Sequence, residues 1–143
     1  MIRTDKIAEA NIMIKKFLWL DIYMVDFNEE AIILFGTMDA SLGKQVEIIL
    51  KKICYIDMPT MWELEVSSEN PIVFIPQDEM NENYKNRFLD NHNGIGNLFV
   101  FSAEGVNKEI KYHIVADSFE LHLLSYESYF PWEINNRFKS TIF

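Results

Sequence analysis

The sequence predicts one α+β domain spanning residues 1–143. Its core is a mainly antiparallel, curved sheet of about six or seven strands, with an N-terminal helix and one helix near 77–92. Three observations carry this prediction. Apolar and polar residues alternate with period two over most of the chain. The links between these runs are too short for crossover helices, so neighbouring strands run antiparallel. Only two windows show the three-to-four spacing of a helix, and the 49% of hydrophobic residues, with eleven Phe, six Tyr and three Trp, suffices to fill one core.

Residues 5–19 carry Ile7, Ala10, Ile14 and Leu18 on one helical stripe, with Asn11, Lys15 and Lys16 turned away. DIYMVDF (21–27), the polar Asn28-Glu29-Glu30 and AIILFGTMDA (31–40) then read as two strands and a tight turn. QVEIILKKICYID (45–57) is a third strand, rich in β-branched residues. In MWELEV (61–66), Leu64 and Val66 alternate with Glu63 and Glu65, the pattern of an edge strand with one wet face. The proline-flanked PIVFIP (71–76) reads as a strand end or edge.

QDEMNENYKNRFLDNH (77–92) is the second helix, with Met80, Tyr84 and Phe88 on one stripe and Asn93-Gly94 as its cap. NLFVFSAE (97–104) and KEIKYHIVAD (108–117) form a hairpin. FELHLLSYE (119–127) is either a further strand or the same strand after a bend at Asp117-Ser118. The aromatic tail, with Tyr129, Phe130, Trp132, Phe138 and Phe143, is expected to pack on the sheet.

Charge and composition exclude several functions. Thirteen Lys and Arg against twenty-two Asp and Glu give a net charge of −9. Nucleic acid would be repelled, because its binders neutralise phosphates with cations. The single Cys54 rules out an internal disulfide and reads as core filler. Charged residues interrupt every apolar run near the N-terminus, so neither a signal peptide nor a membrane span is expected, and the reading is of a cytoplasmic protein.

Motifs of catalysis and cofactor binding are weak. Gly94-Ile95-Gly96 follows a helix and precedes a strand, the reverse of the order that places phosphate at a helix N-terminus. There is no Gly-x-Ser-x-Gly elbow. His113 and His122 would meet only if Asp117-Ser118 turned a hairpin, and two histidines fall short of the three ligands a metal site needs. Glu63 and Glu65 share a strand face and offer paired carboxylates, yet the same pair suits an ordinary wet face. No catalytic residue, metal or cofactor is assigned.

The distribution of acids is more informative. Between Lys52 and Lys85 there is no Lys or Arg, while Asp57, Glu63, Glu65, Glu69, Asp78, Glu79 and Glu82 all occur. Such asymmetry serves solubility or steers a cationic partner. Within this stretch, Trp62 is an aromatic anchor ringed by carboxylates if exposed, and a core residue if buried.

The order DIYMVDF, AIILFGTMD, QVEIILKKICYIDMPTMW and the late YHIVADSFELHLLSYE, over about residues 20–125, resembles small bacterial immunity proteins of polymorphic-toxin systems. That resemblance rests on apolar patterning. It implies a β-rich domain that binds and blocks one toxin, and it transfers no residue roles.

The resulting expectation is a non-enzymatic binding module of immunity or inhibitor type, with an acidic face for a basic protein. Its candidate face is Glu63, Glu65, Asp78, Glu79 and Glu82, with Trp62 as anchor. The alternatives are a small-ligand-binding or hydrolytic β-rich domain with an apolar pocket and His113 and His122 as polar fixtures, or a structural module of a homo-oligomer.

Overall fold

The computed structural model describes residues 4–39, 44–89, 96–105 and 110–123. It contains helices α1 (Thr4–Ile14) and α2 (Glu82–Phe88). The strands are β1 (Leu20–Phe27), β2 (Ala31–Thr37), β3 (Val46–Lys51), β4 (Tyr55–Asp57), β5 (Met61–Leu64), β6 (Ile72–Ile75), β7 (Asn97–Ala103), β8 (Ile110–Ala116) and β9 (Ser118–Leu123). All pairings are antiparallel, in the order β4-β8-β7-β5-β1-β2-β3-β9, with β6 also on β7.

The α+β class is as the sequence predicts, but among the described residues nine strands replace the expected six or seven because two long ones break. QVEIILKKICYID divides at Lys52, whose φ of 56° lies in the left-handed region. Its partner breaks at Asp117 without turning a hairpin, so β9 is the continuation of β8. The register moves from Lys51 opposite Ser118 to Tyr55 opposite Val115. Asp117 N–H to Lys51 C=O and Cys54 N–H to Val115 C=O, both 2.9 Å, carry the pairing across the break. The two ends of the strand order, β4 and β9, therefore belong to one bent ribbon, and the sheet curls back on itself.

Period-two alternation assigns the two faces. Leu20 and Ile22 of β1, Ile32 and Leu34 of β2, Val46, Ile48 and Leu50 of β3, and Phe99 and Phe101 of β7 point inward and are buried. Burial of this kind is the main stabilising term, about 1.5–3 kcal/mol per large apolar side chain. Gly36 sits among them because a Cβ there would lie 2.9 Å from Leu20 Cγ. The predicted edge strand β5 instead lies inside the sheet, pairing β1 along its length and β7 at Leu64–Ala103. Among the described residues β6 is an edge, pairing β7 alone.

Helix α1 ends at Ile14, earlier than the predicted 19, and packs on β6. Ile7, Ala10 and Ile14 are buried as expected, whereas Leu18 is 69% exposed and Phe17 fills the core in its place. Asn11, expected to face solvent, is buried. Its amide donates to Ile72 C=O (2.7 Å) and its oxygen accepts from Ile72 N–H (2.9 Å).

The predicted helix at 77–92 is a 3-10 turn at Gln77–Glu79 followed by α2. The extended backbone of Met80 separates them, and Asn81 Oδ1 caps α2 by accepting from Tyr84 N–H at 2.8 Å. Met80, Phe88 and Leu89 cover Leu98 and Val115 on the outer face of β7 and β8, while Tyr84 stays 37% exposed. The Asn93-Gly94 cap and the aromatic tail lie outside the described residues. Among the described residues, no helix is long and apolar enough to cross a membrane.

Candidate functional site

The acidic stretch that is continuous in sequence is split in space. Glu63 and Glu65 lie where β5 meets the end of β7, since Glu104 N–H donates to Glu63 C=O (2.9 Å) and Glu65 N–H to Ser102 C=O (2.8 Å). Asp78, Glu79 and Glu82 are exposed near the start of β7, where Gln77 N–H donates to Asn97 Oδ1 at 3.1 Å. The length of β7 separates the two groups by roughly 20 Å at the usual rise per strand residue. The predicted face is thus two separate patches.

Trp62 is buried and presents nothing to a partner. Its ring lies edge-on to Tyr112 (5.2 Å) and Phe101 (5.9 Å). Parity held the signal: Trp62 shares a strand face with the apolar Leu64, and Glu63 takes the other.

Around Glu63 the structure adds two acids. Asp21 of β1 is its cross-strand neighbour, and the Glu104 carboxyl shares a hydrogen bond with it. Burial pushes the Glu63 carboxyl above the usual carboxylate range. The bond to Glu104 and the charges of Glu104, Asp21 and Glu65 push it the same way. Glu65 turns back on its own loop and accepts from Ser67 N–H at 3.2 Å.

This acidic corner adjoins an apolar strip on the outer face of β5, β1 and β2. Met61 stands opposite Tyr23, and Tyr23 opposite Phe35, their rings stacked at 5.2 Å. A register shift between Met24 and Asp26 leaves Val25 as the extra residue of a bulge. Exposures of 62% for Met61 and 49% for Val25 make this a wet face with apolar content. Helix α2 and Met80 pack instead on the outer face of β7 and β8.

The histidines do not converge. His113, on β8, is bound to Asp57: the carboxylate accepts from His113 N–H (2.6 Å) and contacts ring Nδ1 (3.0 Å). Arg87 of α2 approaches the same carboxylate at 3.6 Å, and Phe88 lies 5.1 Å from the imidazole. These contacts tie α2 to the sheet. His122 lies beyond the bend, opposite Glu47 and 3.7 Å from Glu120, and its buried Nε2 has no hydrogen-bond partner among the described residues.

Among the described residues no three His, Cys, Asp or Glu side chains form a metal site. A cleft of about 190 Å³ lies between α1 and β6, lined by Ile7, Ala8, Asn11 and Phe74, away from both histidines. Cys54 is half-buried beside the α2 cluster, and burial pushes its thiol pKa up, away from the reactive thiolate.

No family model, curated protein or solved structure matches the chain.

Proposed function

We propose that this protein is a non-enzymatic protein-binding module that docks a basic partner on the outer face of β5, β1 and β2, in the manner of an immunity or inhibitor protein. One observation carries the reading: the Asp21–Glu63–Glu104 corner adjoins the exposed Met61 and Val25 on one sheet face. Apolar area supplies the affinity of such a surface. The clustered carboxylates supply register and a faster, salt-sensitive encounter with a cationic surface. A partner's Arg or Lys placed there would relieve the repulsion among these acids.

The test is capture from a lysate of the native host on the immobilised protein, run beside an Asp21→Lys/Glu63→Lys variant and a Met61→Ala variant of unchanged melting temperature. The reading expects a basic protein retained at low salt, released by added salt, and lost from both variants. The same captured set on all three surfaces overturns it.

A further inference from the structure

Helix α1 lies along the side of β6 that faces away from β7, and it serves the backbone there turn by turn. Lys15 Nζ donates to Glu69 C=O at 3.0 Å. One turn earlier in the helix, Asn11 takes both the C=O and the N–H of Ile72. One turn earlier again come Ile7 and Ala8, whose side chains neither donate nor accept. The helix and the strand run in opposite senses along this contact, and their spacings match. A helical turn rises about 5.4 Å and two strand residues about 6.6 Å, so the turn of Ile7 and Ala8 comes level with Phe74. These three residues line the cleft of about 190 Å³.

The pairing pattern shows what Phe74 presents to it. Ser102 N–H donates to Pro71 C=O at 2.9 Å, and Ile72 stands opposite Phe101. Pro71, Val73 and Ile75 therefore bond toward β7, while Ile72 and Phe74 turn their backbone groups toward α1. Asn11 holds those of Ile72. The N–H and C=O of Phe74 have no hydrogen bond among the described residues. A further strand does not fit this edge. Asn11 blocks it at Ile72, and Pro76, the next residue facing that way, has no N–H.

We propose that the cleft between α1 and β6 binds a small molecule carrying an unsubstituted carboxamide on a short apolar body. The chain itself supplies the pattern. The Asn11 carboxamide satisfies one N–H and one C=O of this strand at 2.9 and 2.7 Å, and Phe74 offers the same pair two residues further on. A primary amide donates through its nitrogen and accepts through its oxygen, so a single group meets both. Ile7, Ala8 and Val73 supply the apolar contacts for the body of the ligand. The cleft shares no residue with the Glu63 face, so this site stands independently of the proposed function.

Amide-resolved NMR of the isotope-labelled chain tests the site, with isobutyramide as the probe. N,N-dimethylisobutyramide keeps the carbonyl and lacks the N–H, and Ala8→Asn supplies a carboxamide from α1 itself. The proposal expects saturating shifts at the Phe74 and Ala8 amides with isobutyramide. It expects binding roughly two- to tenfold weaker for the dimethyl compound, the worth of one hydrogen bond. In Ala8→Asn, with the rest of the spectrum unchanged, the titration should be lost and the Phe74 amide should exchange with solvent more slowly. No saturating shift at Phe74, or equal affinity for the two compounds, overturns the proposal. Shifts retained in full in Ala8→Asn place the probe elsewhere and overturn it as well.

Discussion

The Asn11 carboxamide occupies both the N–H and the C=O of Ile72, at 2.9 and 2.7 Å, and so stands in for a neighbouring strand on the edge of β6. Both partners are buried, which makes the two hydrogen bonds more than decoration.

Asn11→Leu leaves two buried backbone groups unpaired, at about 1–3 kcal/mol each. The expected result is a loss of roughly 2–4 kcal/mol in urea unfolding. A loss within experimental error would mean that water replaces the amide.

Glu63 supplies a pH dependence. Its carboxyl pKa is raised in the folded chain. Between the ordinary and the raised values the native state therefore holds more proton than the unfolded state. The stability this group contributes is complete below the ordinary carboxylate range and is lost as pH rises through the raised value. Glu63→Gln should raise the melting temperature at neutral pH by roughly 1–3 °C. The difference should shrink in mild acid, as a calorimetric pH series would show.

Asp57 holds α2 through His113 and Arg87. Asp57→Ala should cost about 1–3 kcal/mol, and Arg87→Ala, an exposed pair, less than about 0.5 kcal/mol. Hydrogen exchange checks the location of the effect, with the α2 amides expected to lose more protection than those of β2.

Lys52 sits at φ 56°, where a side chain is strained and glycine is not. Lys52→Gly should stabilise the chain by up to about 1 kcal/mol, read from the urea midpoint at unchanged slope. Destabilisation would show that the Lys52 side chain contributes more than its backbone costs.

Much of this fold is legible locally. The inward rows of β2 and β3 follow directly from alternation, because side-chain direction in a strand has period two. What sequence order conceals is distance. Asn11 falls between Ile7 and Ile14 on the buried stripe, a visible signal, but its partner Ile72 lies on a remote strand. Glu104 meets Glu63 only because β7 runs beside β5. Glu65 and Asp78 belong to one acidic stretch of the sequence, but the length of β7 lies between their patches. Trp62 was decidable by parity with Leu64, since charge in the surrounding sequence says nothing about which way a strand residue points.

The bent ribbon also orders events in time. β2 and β3 can pair as soon as residue 51 is made, whereas Ile48 must wait for Leu121 and Ile56 for Ile114. Closing such long loops before any contact rewards them slows folding. On the ribosome, the hairpins of the first half stand with a bare strand until the end of β9 emerges. Among the described residues the last strand to be made is therefore also the one that covers β3, and a chain stopped before residue 118 should expose the row Val46, Ile48 and Leu50.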